Sequence, residues 1–132
     1  MSQTEKQKVG KIGEDIACTF LIKKGFSIVE RNYLKKCGEI DIIAKKSKKI
    51  HFIEVKTVSC ENVSRISYET ESKNPEENIH QWKVKRLSRA IQTYLIDRHV
   101  SHETDWQFDI VAVFLDVKNR EAKMRFSENV IL

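Results

Sequence analysis

Cysteine is scarce in this 132-residue chain: Cys18, Cys37 and Cys60 are odd in number, widely spaced and without a Cys-x-x-Cys pair. They suggest neither a disulfide framework nor a zinc site, and a reduced, cytoplasmic protein is the simplest expectation. Proline occurs once and glycine four times. With no Gly-rich phosphate loop and no nucleophile elbow, nucleotide triphosphatase and serine-hydrolase readings have no support. No segment approaches the roughly 20 apolar residues that a membrane span needs, and "MSQTEKQKVG" lacks the apolar core of a signal peptide, so no membrane partner is expected. Internal repeats, low-complexity tracts and linkers are missing too. The expectation is one domain over residues 1–132, long enough to bury a core without staples.

What the chain does have is charge. Its 24 Lys and Arg against 19 Asp and Glu leave a formal +5, which favours polyanionic partners such as nucleic acid.

Val9, Ile12, Gly13, Ile16, Ala17, Phe20 and Leu21 recur at the three-and-four spacing of one helix face, predicting a helix over about Gln3 to Lys24 capped by Gly25. A strand over Phe26 to Leu34 follows. Then come strands over about Glu39 to Lys45 and Lys49 to Val58, joined by the polar turn "KKSKK" into an antiparallel hairpin. Residues 59–75 show no period and read as a flexible loop ending in Asn-Pro. Pro75 opens a second helix whose apolar stripe includes Ile79, Trp82, Leu87 and Tyr94. A strand over Trp106 to Val117 comes last, and the tail "AKMRFSENVIL" adds an edge strand or packs back on the core. The order α-β-β-β-α-β, with room for a further β, predicts an α/β domain with a mixed sheet flanked by helices.

The hairpin raises a chemical question, because charge runs along strands that could have been apolar. Alternation puts Glu39, Asp41 and Ile43 on one face of the second strand, and Phe52, Glu54 and Lys56 on one face of the third. If the charged faces meet, Asp41, Glu54 and Lys56 converge on one small ligand. Two semi-buried carboxylates repel and lose hydration; a divalent cation compensates both costs, and oxygen ligands suit Mg²⁺ or Mn²⁺. Lys56 beside such an ion could position or deprotonate an attacking water and offset charge developing on a phosphate. The same alternation also fits the solvated side of a one-sided hairpin, and spacing alone does not separate the two.

"VGKIGEDIACTFLIKKGFSIVERNY", "GEIDIIA", "FIEVKT", the basic second helix and "FDIVAV" together resemble the YraN-like family of small bacterial proteins, across most of residues 8 to 115. That family is placed in the PD-(D/E)xK nuclease superfamily, near archaeal Holliday junction resolvases. The resemblance implies a restriction-endonuclease-like core in which Asp41, Glu54 and the backbone carbonyl of Val55 hold the metal. It makes Lys56 the catalytic base or charge stabiliser and Glu14 the helix carboxylate of the site. It also implies a metal-dependent DNA endonuclease or resolvase-like phosphodiesterase, with branched DNA as substrate and a homodimer as the assembly. Thr57 departs from the pattern, since an arginine commonly follows Glu-Val-Lys. The acidic stretch Cys60 to Asn74 departs from it as well, being a poor candidate for gripping DNA.

Further nucleic-acid contacts are expected from Lys45, Lys46 and Lys48 at the hairpin turn and from Lys83, Lys85, Arg86 and Arg89 on the second helix, all of which also fit solvated surface charge. Gln81 is similar in place to a polar helix residue that superfamily members aim at the site. Asp109 reads as a buried polar residue holding a lysine or a backbone amide, or else as one near the active edge, His51 as core or cross-strand packing, and Trp82 and Trp106 as core. The rival to an enzyme is a non-catalytic nucleic-acid or protein-interaction module on the same fold. Two extra carboxylates argue against it, because they repel a polyanion.

Overall fold

Thr4 opens the first helix with a reciprocal cap: its hydroxyl accepts from the Gln7 N–H at 3.1 Å, and Gln7 Oε1 accepts from the Thr4 N–H at 3.0 Å. The computed structural model describes residues 4–61, 63 and 81–130, with residues 81 and 82 described in their backbone alone. Helix α1 (Glu5–Lys23) turns Gly13, Ala17, Cys18 and Leu21 inward. It stops at Gly25, whose φ of +94° suits glycine. There the Gly25 N–H reaches the Ile22 carbonyl and the Phe26 N–H the Leu21 carbonyl, each at 3.0 Å, and Phe26 joins Leu21 in one core cluster.

Five strands form one sheet in the order β1 (Ser27–Lys35), β2 (Gly38–Lys46), β3 (Lys49–Ser59), β4 (Trp106–Asp116) and β5 (Glu121–Ser127). Neighbours are antiparallel except β3 and β4, which run parallel, and helix α2 (Gln81–Asp97) lies in the connection between those two. A parallel pair needs such a crossover, whereas β2 and β3 are closed by two residues, Ser47 and Lys48, both at positive φ as the tight hairpin turn demands. The tail forms an edge strand. The result is an α/β fold with a mixed sheet in the order α-β-β-β-α-β-β, consistent with a restriction-endonuclease-like core.

Each face of the sheet carries its own core. Ala17 and Leu21 of α1 pack with Ile42, Ile53, Val111 and Val113 on one side; Leu87, Ile91 and Tyr94 of α2 pack with Ile43, Phe52 and Ile110 on the other. Trp106 departs from the core role expected of it: 37% exposed, it sets its ring edge-on against Phe52 at the start of β4. Ser59 ends β3, and the Cys60 N–H donates to the Leu115 carbonyl, so the expected loop begins one residue later than Ser59. Most of the remainder of that loop, the helix start at Pro75 and Ile79, and the side chains of Gln81 and Trp82 lie outside the described residues.

Candidate active site

The β2–β3 ladder runs from Lys46 opposite Lys49 to Ile42 opposite Ile53, and there it ends. One more step would set Asp41 against Glu54. Instead the strands fork: the Val55 N–H, which a continued ladder would offer to Ile40, donates to Asp41 Oδ2 at 2.8 Å. The facing of β2 changes here, although its register with β1 runs on unbroken from Arg31 opposite Ile42 to Tyr33 opposite Ile40. Ile40 and Ile43 both belong to the α2-side core, while Ile42 and Ala44 belong to the α1-side core, so alternation breaks at Asp41. On β1, between Arg31 (opposite Ile42) and Tyr33 (opposite Ile40), Asn32 sits at φ +53°, a left-handed conformation that asparagine tolerates. The strict alternation expected for Glu39, Asp41 and Ile43 is thereby corrected. Strand β3 keeps its period, with Phe52 in the α2-side core and Ile53 in the α1-side core. In a strand the N–H and C=O of one residue point the same way, so the Val55 carbonyl faces the fork as well.

Glu54 is 5% exposed, and a carboxylate so buried needs partners. It has two on one oxygen: Lys83 Nζ at 2.5 Å and Lys56 Nζ at 3.5 Å, both to Oε1. Glu14 comes from α1, accepting from Arg31 Nη2 at 3.2 Å, and the same nitrogen donates to Asp15 at 2.7 Å. A cavity of about 720 Å³ has Glu14, Glu39, Asp41, Glu54, Lys56 and Lys83 on its walls. The α1 carboxylate and the hairpin triad therefore share one cleft.

Burial, and then Glu54, push the Asp41 carboxyl up to about 8; the Val55 N–H opposes this, and Glu14 and Glu39 add to it. Glu39 is raised too, by burial first and then by Glu14 and Glu54. Burial, then a hydrogen bond with Lys83, lowers Lys56 against the pull of Glu54. Burial works the same way on Lys83, but its bonds to Glu54 and Lys56 outweigh it and leave Lys83 raised. Glu5, Glu14, Glu39, Asp41 and Glu54 share the cleft with Lys6, Lys11, Lys56 and Lys83, so carboxylates and ammonium groups nearly balance.

Among the described residues no three His, Cys, Asp or Glu side chains form a ready metal cluster. What the fork offers is two carboxylates and a main-chain carbonyl. That all-oxygen set fits a hard divalent cation completing its shell with water and substrate oxygens.

The basic residues scatter. Lys83, expected to grip nucleic acid from the helix surface, turns into the cleft. Arg86 lines an adjoining cavity of about 290 Å³ with Asp41 and Glu54 and donates to the Cys37 carbonyl at 3.2 Å. Lys85 and Arg89 are exposed on α2. Lys45, Lys46 and Lys48 are exposed at the other end of the hairpin, where Lys46 lies five residues from Asp41, about 17 Å of strand. Thr57 meets α1 on the face opposite Lys56: a Cβ added at Gly13 would stand 1.9 Å from Thr57 Oγ1.

Asn32 and Glu39 escaped the sequence reading as members of this cleft. Asn32 hides in ordinary alternation, while Glu39 lies two residues before Asp41 and was legible as a neighbour. Asp109 is buried and holds a backbone amide as expected, the Asn129 N–H at 2.8 Å; its carboxylate also joins His51 Nδ1 at 2.6 Å and accepts from Gln107 Nε2 at 2.6 Å. His51 is buried against Phe26, as its packing role requires.

The profile of the uncharacterised protein family UPF0102 matches residues 13–113, a span that includes Glu14, Asp41, Glu54, Lys56 and Lys83. A UPF0102 protein of Campylobacter jejuni is 37% identical over 121 residues, covering 92% of this chain and 91% of its own length. One of Caldicellulosiruptor bescii is 38% identical over 119 residues (89% and 92%), and one of Campylobacter lari 41% identical over 104 residues (79% and 81%). A family profile matching most of the chain, with relatives 37–41% identical over most of their own length, makes the chain a member of the YraN-like family UPF0102.

Proposed function

We propose that the protein is a Mg²⁺- or Mn²⁺-dependent endodeoxyribonuclease, hydrolysing phosphodiester bonds at the fork between β2 and β3. The observation that carries this reading is the pair of carboxylates driven together at the fork. Asp41 is charged only at a cost that a cation would remove, and Lys56 stands beside Glu54 on the same face of β3. Asp41, Glu54 and the Val55 carbonyl hold the ion, which when bound supplies Lewis acidity toward a water and a phosphoryl oxygen.

The chain's own residues do the rest. The Val55 N–H fixes Asp41 Oδ2, so one carboxylate oxygen is oriented before anything binds. Lys56, lowered by its surroundings, is poised to take a proton from the attacking water or to offset charge on the phosphate. Glu14, oriented by Arg31, adds to the negative potential that draws a cation in. Branched DNA as the preferred substrate and a homodimer as the working form rest on the likeness to the junction resolvases, and the cytoplasm as the location on the scarce, unpaired cysteines.

Cleavage of a labelled panel of linear duplex, single strand, flap and four-way junction, with Mg²⁺, Mn²⁺ or EDTA, tests the proposal. Cutting that EDTA abolishes is the expected result, strongest on the branched substrates. Salt-sensitive binding with no cutting under any metal would replace the enzyme with a binding module.

A further inference from the structure

Lys83 has a position that surface charge does not explain. It precedes Leu87 by four residues, and Leu87, Ala90, Ile91 and Tyr94 form the buried stripe of α2. A lysine on that stripe is aimed at the sheet. Its ammonium donates to Glu54 Oε1 at 2.5 Å, and Lys56 Nζ stands 3.5 Å from the same atom. The two lysines differ in origin. Lys56 is carried by β3 itself, two residues from Glu54, whereas Lys83 arrives from a separate element across the cleft and borders the cavity that Asp41 and Glu54 also line.

A divalent ion settling between Asp41 and Glu54 would meet an ammonium already bonded to one of its ligands. Three cationic centres around Glu54 Oε1 repel one another more than the two ammonium groups do, so one ammonium is expected to leave. Of the two lysines, Lys83 makes the closer contact, 2.5 Å against 3.5 Å, so its ammonium is the one standing in a ligand position that an ion would take.

We propose that Lys83 is the resident counter-ion of the metal site: it neutralises Glu54 while no divalent ion is bound and is displaced from Glu54 when one binds. This rests on the metal reading of the fork. It assigns Lys83 a positioning role, since it acts through Glu54 and sets the threshold concentration at which the site loads.

Mn²⁺ titration of the full chain by calorimetry tests it, comparing the parent with Lys83→Met, Lys83→Arg and, as a control for losing one surface charge, Lys118→Met. Lys83→Met is expected to bind Mn²⁺ about tenfold tighter, because the buried anion has lost its competing partner. Lys83→Arg keeps the competitor and binds no tighter than the parent, and Lys118→Met matches the parent. In thermal unfolding without metal, Lys83→Met melts below the parent and regains more on adding Mn²⁺. If Lys83→Met does not fold, Lys83→Gln carries the same comparison. Should the parent bind Mn²⁺ and Lys83→Met bind it no more tightly, Lys83 is a plain tie between α2 and β3 and the proposal fails alone. Should neither parent nor variant bind Mn²⁺, the metal reading fails and takes this proposal with it.

Discussion

Asp41 couples the site to pH at the scale of a single residue. Folding raises its pKa from 3.8 to about 8, so its contribution to stability is fully present below the lower value and is lost as pH rises toward the upper one. The metal-free protein is therefore expected to melt at lower temperature as pH climbs through that interval, and Asp41→Asn should flatten this part of the profile. Added Mg²⁺ or Mn²⁺ should restore the parent most at the alkaline end, where the ion replaces a proton already leaving. A parent and Asp41→Asn with superimposable pH profiles would remove the cause assigned to the shift. Asp109 provides the contrast of a buried carboxylate whose partners are all in place. Asp109→Ala strands His51 and Gln107, and a loss of about 3 kcal/mol in urea unfolding is expected from breaking such a buried cluster. Mn²⁺ affinity should stay unchanged, because His51 and Asp109 face the α1 side of the sheet, away from Glu54.

Two glycines let the helices approach the strands that carry the site. At Gly13 a Cβ would collide with Thr57 Oγ1, Cγ2 and Cβ, and at Gly38 it would come within 3.0 Å of the Arg86 carbonyl oxygen. Gly13→Ala is expected to destabilise by about 1–3 kcal/mol through overpacking. Thr57→Ala removes the two nearest atoms of the clash and should recover part of that loss in the double variant; strict additivity of the two changes would contradict the contact. The elements themselves were legible, because the α1 stripe, the "KKSKK" turn and the β4 apolar run are side-chain patterns with the right periods. The fork was not. It depends on Asn32 adopting a left-handed backbone and on β2 breaking its alternation at Asp41, and neither leaves a mark in the alternation of "ERNYL" or "GEIDIIA". Glu54 and Lys56 could be placed on one face because β3 stays regular, while the bond from the Val55 N–H to Asp41 is a product of the fork. Lys83 carried a signal that was passed over: the four-residue spacing to Leu87 puts it on the buried stripe, although its identity as one lysine among several basic neighbours pointed outward.

At the scale of the molecule, basic charge lies around the carboxylate-bearing cleft without forming one continuous track. Exposed Lys85 and Arg89 stand on the helix that also carries Lys83, whereas Lys45, Lys46 and Lys48 crown the far end of the hairpin. If DNA lies along α2, neutralising Lys85 and Arg89 together should reduce the slope of log affinity against log salt by about two, and neutralising the three turn lysines should change it less. The reverse order would move the DNA path to the hairpin tip. A four-way junction presents two symmetric scissile positions, so a junction-cutting form is expected to be a homodimer by light scattering at micromolar concentration, and a strict monomer would count against it. The central claim is narrower than any of these: the fork between β2 and β3 is a metal-dependent phosphodiesterase centre. The most direct test is cleavage of the preferred DNA by parent, Glu54→Ala and Lys56→Ala proteins side by side, with Mn²⁺ and with EDTA. Cutting by the parent that EDTA stops and that both substitutions abolish is the predicted result, with Lys56→Ala still binding Mn²⁺. Cutting that survives either substitution, or a parent that binds Mn²⁺ at the fork and cuts nothing, would contradict it.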